Sequence, residues 1–381
     1  MADGMPKSLV DNPRLDRWLG FDTPGRVQLR VGKVELGQGI ATALCQIAAE
    51  ELDVALSQLD LLAGDTDHAP DEGTTTSSLS IEVGGAALRL VCAETRMLFL
   101  REAARRLNCA PDALAVEDGA VWMGDAATGL DYWSLPVSLA RDASGAVAPK
   151  PVGAHRLVGR SVPRRDLPTK IFGAGFVQDY APAGLRHGHV VHAPRSGGRV
   201  AGVDEAAIHR AAGGALEIIR HGTMIALLAD DATILRRAAF AADQAVRWDG
   251  LLPLEAAQQE AAWLLEQPSR EGAFGDPAGD RPPTLTATYS RPYIAHASIG
   301  PSCAVAAFQD GHLTVWCAAQ GVYGLKATLA GGLKLRPDQV SVRHMHGSGC
   351  YGQNGADDAA FDAAAIALLR PARPIRVRRR R

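Results

Sequence analysis

Gly32-Lys33-Val34-Glu35-Leu36-Gly37-Gln38-Gly39 is the stretch on which the reading of this chain turns. It follows Val27, Leu29 and Val31, which alternate with polar residues and predict a strand. It precedes Ile40, Leu44, Ile47 and Ala48, which fall at helical spacing. The predicted order is strand, small-residue loop, helix. Such a loop lets main-chain N–H groups approach an anionic ligand, and the helix N-terminus adds partial positive charge. The same design occurs twice more. Thr74 to Ser80 precedes a helix marked by Val83, Ala87, Leu90, Val91 and Leu98. Gly347 to Gly352 separates a strand at Val340 and Val342 from an alanine-rich helix that Asp357 opens. A lone G-x-G is a structural turn more often than a ligand site. Three such loops, two of them beside a glutamine, point to a large phosphate-bearing cofactor. None matches the P-loop or the G-x-G-x-x-G fingerprint.

Outward from these loops the chain divides into three units of mixed helix and strand, an α/β (α+β) protein. In the first, covering 1–150, Leu59 to Ala63 adds a strand, and Leu114 to Val116 and Val121 to Met123 flank Asp118-Gly119 as a hairpin. A Pro-, Gly-, Ala- and Arg-rich stretch from about 135 to 165 reads as connecting chain, with the linker placed at 151–164. The second unit, 165–266, has strands at 189–191 and 200–203 around the turn-like Pro194 to Gly198, a short helix at 206–211, a buried strand at 224–228 and a helix from Ile234 to Val246. A polar boundary spans 267–283. In the third unit, 284–381, Val305 and Ala307 are set opposite Leu313 and Val315 across Asp310-Gly311, and a helix follows Gln320.

Composition removes several classes. The formal net charge is -2, so there is no basic field to attract nucleic acid. The start shows no apolar signal segment, and no apolar run is long enough to span a membrane. The expectation is a cytoplasmic protein, with association at the periplasmic face through a partner left open. The 6 cysteines are scattered without a C-x-x-C pair, which predicts reduced, mostly buried thiols. An iron–sulfur cluster needs clustered cysteines, so any such cluster belongs on a partner.

The stretch from Gly32 to Gly39, continued through Gln46, Glu50 and Glu51 to Gly64-Asp65-Thr66, resembles the signature of the molybdopterin-binding subunits of the xanthine dehydrogenase and aldehyde oxidase family. Arg165 to Lys170, with Gly173 and Asp179, resembles the start of that family's hammerhead domain. His296 to Pro301, Trp316 to Gln320 and Gly347 to Gly352 resemble its later cofactor segments. Having the G-Q-G segment first, together with Asn12 to Asp16, resembles the isoquinoline 1-oxidoreductase and nicotinate dehydrogenase branch. The resemblance implies a split molybdenum-cofactor-binding domain with an inserted α/β hammerhead domain. It implies molybdopterin with molybdenum, in the cytosine dinucleotide form, the metal being held by the pterin with no protein ligand. Gln38 and Gln320 match glutamines that contact the pterin near the metal, Gly37 and Gly39 flanking the first. Thr76, Ser77, Ser78 and Ser80 match contacts to the dinucleotide phosphates, and Gly349, Tyr351 and Gly352 match the aromatic–glycine segment beside the metal. The implied activity is hydroxylation of an N-heterocycle or aldehyde with water-derived oxygen. Electrons would leave through a small [2Fe-2S] subunit, and on to a cytochrome c.

Three departures stand out. Gly300 replaces a glutamate found before proline in many relatives, and the late loop reads G-S-G-C-Y-G where much of the family has more glycines and a phenylalanine. The family's catalytic glutamate lies near the end of a longer subunit, so no catalytic residue is assigned here. The run Arg378 to Arg381 departs from the family and reads as a truncation or frameshift. Two expectations follow: a further chain supplies the missing half, or the protein is an inactive cofactor-binding remnant, unstable because strands lack partners. Of the remaining polar residues, His187, His189 and His192 read as a hydrogen-bonded surface strand. His344 and His346 alternate on the strand entering the last loop, Cys350 reads as a packed small residue, Asp357 and Asp358 as first-turn helix acids, and Glu35 and Glu51 as structural.

Overall fold

A computed structural model describes residues 5–173, 175–270, 272, 282, 284–352 and 356–379. Much of the 267–283 boundary, the side chain of Asp357, and Arg380 and Arg381 lie outside the described residues.

The first unit grows from the quoted strand, loop and helix. After α1 (Lys7–Asp11) come β1 (Leu19–Gly20) and β2 (Val27–Val31). Val27, Leu29 and Val31 are buried while Gln28 is exposed, the alternation that predicted the strand. α2 (Ile40–Leu52) crosses over to β3 (Leu59–Ala63), which runs parallel to β2 with Val27 opposite Leu59. α3 (Ala86–Leu107) packs beside α2. The predicted hairpin is present as β4 (Leu114–Glu117) and β5 (Ala120–Met123), and β6 (Ala126–Asp131) adds a third strand that the sequence did not suggest. Phe21, Phe99 and Tyr132 cluster in this core with ring centroids 4.6 to 5.6 Å apart, and the Tyr132 hydroxyl donates to the Leu52 carbonyl at 2.7 Å.

The connecting chain after residue 135 is irregular but not loose. One oxygen of the buried Glu50 carboxylate accepts from the N–H groups of Arg156, Leu157 and Val158 at 2.8, 2.6 and 3.0 Å. Glu51, also buried, accepts from Lys150 N–H and Arg89. Gln46 donates to the carbonyls of Leu157 and Arg160. The acidic residues of α2 thus bind a chain segment about a hundred positions away. Burial alone would raise the Glu50 pKa; the three N–H donors and Lys150 outweigh it and hold the carboxyl below its usual range.

Beyond α4 (Leu167–Phe172), the chain forms β7 (Arg186–Val191), β8 (Arg199–Val203), α5 (Glu205–Ala212), β9 (Glu217–His221), β10 (Met224–Ala229), α6 (Ala232–Ala245), β11 (Val246–Asp249) and α7 (Ala261–Leu265). Then come β12 (Cys303–Gln309), β13 (His312–Cys317), α8 (Val322–Leu333), β14 (Val340–His344), α9 (Ala356–Leu369) and β15 (Ile375–Arg378). A 7-stranded sheet runs β14-β13-β12-β15-β7-β10-β9. It crosses the expected boundary at 267–283, because β15 pairs antiparallel with β12 and parallel with β7. One face carries Val190, Ala226 and Leu228 with Ala304, Ile375 and the helices α8 and α9. The other carries Val191, Ile225 and Leu227 against α5 and α6. β10 is therefore buried on both faces, which explains its unbroken apolar sequence.

Two pairings differ from expectation. β7 and β8 do not pair across Pro194 to Gly198; β8 pairs with β11 and β7 with β10 and β15. In the β12–β13 hairpin, Asp310 (φ 51°) and Gly311 (φ 77°) make a two-residue turn between Gln309 and His312. That register sets Ala306 opposite Val315 and Phe308 opposite Leu313, and puts Val305 and Ala307 on the other face. Val305 and Ala307 are buried there too, so alternation carried no register signal.

Replacing Glu50 by alanine leaves three N–H groups without their acceptor. We expect E50A to lose about 2–4 kcal/mol of stability in urea denaturation. It should also open the segment around Arg156 to limited proteolysis.

Candidate functional site

The three loops converge, and buried polar residues set their shapes. At the end of β2, Gly32 N–H and Lys33 N–H donate to one oxygen of Glu72 at 2.7 and 3.3 Å. Lys33 Nζ in return donates to the carbonyls of Glu72 and Thr74 at 2.7 and 3.1 Å. Both side chains are buried. Burial pushes the Glu72 carboxyl up and the Lys33 ammonium down, each toward its neutral form. Val34 N–H donates to the Thr75 hydroxyl at 3.0 Å. Thr75 N–H donates to the Gln320 carbonyl at 2.9 Å, and Gln320 Nε2 donates back to the Thr75 carbonyl at 3.1 Å. The 72–75 chain is thereby fixed to β2 on one side and to the segment after β13 on the other. Ser77 (φ 54°) and Ser78 (φ 60°) then take left-handed conformations in succession, which reverses the loop before a π-helical turn, Ser80–Gly85, enters α3.

The first loop holds a correction. Its N–H groups were expected to face an anion, but Glu35 takes them. The Glu35 carboxylate accepts from Gly37, Gly39 and Ala41 N–H at 2.7, 2.9 and 3.1 Å, so the N-terminus of α2 already has its counter-charge. The Gln38 side chain is folded onto its own loop: Oε1 accepts from Leu36 N–H at 2.5 Å and Nε2 donates to the Val34 carbonyl at 3.1 Å. Arg164 donates to the Gly37 carbonyl at 2.9 Å and pairs with Asp166 at 2.6 Å.

The third loop leaves β14 with Gly349 (φ 98°) and Gly352 (φ 111°) in backbone that only glycine adopts readily. Ser348 Oγ donates to the Gly300 carbonyl at 3.2 Å, and a Cβ on Gly300 would lie 2.6 Å from the Ser348 Cβ. Glycine at 300 and serine at 348 therefore go together: glycine makes the room that serine fills. His344, ending β14, sits between two carbonyls, with Nδ1 3.1 Å from Ala319 O and Nε2 3.2 Å from Glu35 O. Desolvation pushes its imidazole down to about 4. His344 is thus structural rather than a phosphate contact, its neutral ring donating from one nitrogen to one of these two carbonyls.

A cleft of about 800 Å³ lies where the loops meet. It is lined by every sequence-predicted residue: Gly37, Gln38, Gly39, Thr76, Ser77, Ser78, Ser80, Gln320, Gly349, Tyr351 and Gly352. Its remaining walls include Ile40, Ala43, Ile81, Thr75 and Cys350. Cys350 therefore borders open space instead of packing away. Among the described residues, none on the lining carries a formal charge. A second cleft of about 480 Å³ shares Thr76, Gln320 and Gly352 with it and extends along α8 past Gly324 and Thr328 to Asp358. Asp358 is exposed and pairs with Arg379. The hydroxyls and glycines were legible in the sequence. Lys33, Glu35, Glu72 and Arg164, which position them, were not assigned that role, since their partners are set by the fold.

The other histidines do not join this site. His187 and His189 lie on the central strand β7 and line a separate cavity, which corrects the surface-strand reading. His192 pairs with Asp362 at 2.8 Å. Asp65, Asp67 and His68 bring potential metal-ligand atoms together, but Arg343 lies 3.4 Å from both carboxylates and supplies the balancing charge. All six cysteines are free thiols. Among the described residues no helix is long and apolar enough to cross a membrane.

Two family models, each described as molybdopterin cofactor-binding domain, match residues 9–147 and 268–381. The chain belongs to the molybdopterin cofactor-binding family. It is 34% identical over 393 residues to a nicotinate dehydrogenase subunit of Pseudomonas putida, an alignment that covers 96% of this chain and 32% of the relative. The β-type subunit of isoquinoline 1-oxidoreductase from Brevundimonas diminuta is 27% identical over 254 residues, 56% of this chain and 32% of that protein. The chain thus spans about a third of the length of these curated relatives. Among solved structures, quinoline 2-oxidoreductase from Pseudomonas putida 86 superposes with a TM-score of 0.41 at 17% identity, covering 58% of this chain and 34% of the other. The molybdopterin cofactor-binding models cover both sequence segments that supply the cleft loops, and leave the residues between 147 and 268 outside their matches.

The low His344 value fixes the sign of one pH dependence. The ordinary histidine value is 6.5 and the folded value about 4, so the stability that neutral His344 contributes is complete above about 6.5 and is lost as pH falls toward 4. H344Q cannot take up that proton. We expect the wild type to lose about 1–3 kcal/mol relative to H344Q between neutral pH and the lower value, read from urea midpoints.

Proposed function

We propose that this chain holds molybdopterin, in the cytosine dinucleotide form, in the cleft bounded by Gly37–Gly39, Thr76–Ser80, Gln320 and Gly349–Gly352. The observation that carries the reading is the chemistry of that cleft: hydroxyls, an amide-rich wall and glycines, with no carboxylate on its lining. A phosphate-bearing ligand meets hydroxyl and amide donors there, and Asp358 on the adjoining cleft is paired with Arg379. Exposed Thr76, Ser77 and Ser78, with half-buried Ser80, would hold the phosphates. Gln38 and Gln320 would orient the pterin, and Tyr351 with its flanking glycines would face the metal side. The domain division, with cofactor segments 1–150 and 284–381 around a hammerhead unit at 165–266, belongs to the same proposal. When bound, the molybdenum cofactor supplies a two-electron redox centre. The chain's part is to exclude bulk water with Ile40, Ala43 and Ile81, to present amide donors to charge that develops in the reaction, and to fix the ligand's orientation. No residue of this chain is assigned as the base.

In the complete enzyme the reaction would be hydroxylation of an N-heterocycle or aldehyde. Electrons would pass to a small [2Fe-2S] subunit and then to a cytochrome c. The names of the relatives, a nicotinate dehydrogenase and an isoquinoline oxidoreductase, support an N-heterocycle. A second reading is cofactor binding without turnover.

The test is expression in a host that makes the cofactor, with and without the proposed partners. Molybdenum and acid-released cytidine monophosphate are assayed on the purified chain. Near-stoichiometric amounts of both are expected, and T76E, which places a carboxylate among the phosphate hydroxyls, should lower occupancy about tenfold or more. Absence of both molybdenum and nucleotide from the wild type under every condition would refute the proposal. Occupancy without oxidation of nicotinate or isoquinoline in the presence of partners would select cofactor binding without turnover.

A further inference from the structure

A second cavity, of about 470 Å³, lies between α6 and the sheet, and shares no lining residue with the cofactor cleft. Its floor is unusual for a central sheet. β15 and β7 run parallel, with Arg376 opposite His187 and Val377 opposite Gly188. Ile375 and Val377 point into the apolar core on one face, so Arg376 and Arg378 point to the other, beside His187 and His189. Cationic side chains thus stand where the alternate face of the neighbouring strand β10 carries Ile225 and Leu227.

Among the described residues no carboxylate pairs with these guanidinium groups. Arg376 donates to the Tyr180 carbonyl and Arg378 to the Gln178 carbonyl, so main-chain oxygens hold both. Among the described residues neither makes an ion pair, whereas Arg379 pairs with Asp358 and Asp362. Arg376 is buried, and its Nε has no hydrogen-bond partner among those residues. Asp179 acts on Arg376 only at longer range. His187 registers the resulting field. Burial first, then Arg376 and Arg378, push its imidazole below the usual range, and Asp230 and Asp231 oppose this without reversing it. Arg376 is buried and Arg378 beside it is exposed at the cavity mouth, and a buried cation of this kind costs free energy unless an anion approaches it.

The opposite wall is apolar. α6 turns Leu235 and Ala239 toward the slot, and Pro301 closes one end. Arg236, exposed on α6, stands at the rim. One side of the cavity therefore suits a carboxylate and the other a small apolar body. The volume falls in the range of pockets for small organic ligands and far exceeds what an inorganic anion fills. We propose that this cavity is a binding site for a small organic acid. Its carboxylate would face Arg376 and Arg378, and its apolar part would lie on α6. The site stands whether or not the cofactor cleft is occupied as proposed above.

Benzoate is the probe, titrated calorimetrically at low ionic strength into the purified full-length chain. Benzamide serves as the uncharged match in shape, and inorganic phosphate as the match in charge alone. Saturable 1:1 binding of benzoate is expected, with benzamide and phosphate each weaker by about tenfold or more, the scale of a charge-assisted contact. R378Q should weaken benzoate about tenfold, and R236A, on an exposed helix position, several-fold with no change in the circular dichroism spectrum. Absence of saturable benzoate binding would overturn the proposal. So would benzamide or phosphate binding as tightly as benzoate, or R236A and R378Q both binding as the wild type does.

Discussion

Thr75 makes the contact on which the cleft depends. Its hydroxyl receives the Val34 N–H, and its own N–H and carbonyl exchange two hydrogen bonds with Gln320. Residues 245 positions apart are thereby held as neighbouring walls. The buried Lys33 and Glu72 secure the same loop from below, each satisfying main-chain groups that would otherwise be stranded without water. His344 repeats the principle, with its ring between carbonyls of the first and last segments. The cleft is therefore a junction between two pieces of chain. Its geometry is maintained by side chains that fasten backbone to backbone.

What could be read in the sequence was local chemistry. The alternation of Val27, Leu29 and Val31, the glycines after it, and the hydroxyl run from Thr76 to Ser80 all have short-range meaning, and all reappear in one cleft. The resemblance of those loops to a known family joined them before any contact was visible. What could not be read was long-range. Glu50 in α2 holds residues 156–158, and nothing near Glu50 announces it. The pairing of β15 with β7 unites units that composition had separated. The β12–β13 register escaped detection because apolar residues line both faces, so a shift of one residue leaves the pattern unchanged. Glu35 looked merely structural, and it is, yet it is the residue that decides which donors the first loop presents.

Two pairs of loop residues gain a physical sense in three dimensions. Gly300 and Ser348 face each other, the absent side chain of one making space for the hydroxyl of the other. A substitution at one position without the other would leave either a clash or a void. The left-handed Ser77 and Ser78 likewise form a pair. Two non-glycine residues in that conformation cost about 1–2 kcal/mol each, so packing around the loop must maintain them. Packing within the chain thus sets the loop's shape.

Gln38 illustrates what such presetting does to recognition. Its amide already has a donor and an acceptor in Leu36 and Val34. A guest that draws this side chain outward exchanges hydrogen bonds and gains few, so the net affinity from this residue is small. The exchange is asymmetric, however. A molecule of matching shape but without complementary polar atoms would break both internal contacts and return neither. In the proposed site the glutamine would therefore act as a discriminator, lowering the residence of wrong occupants more than it raises that of the right one.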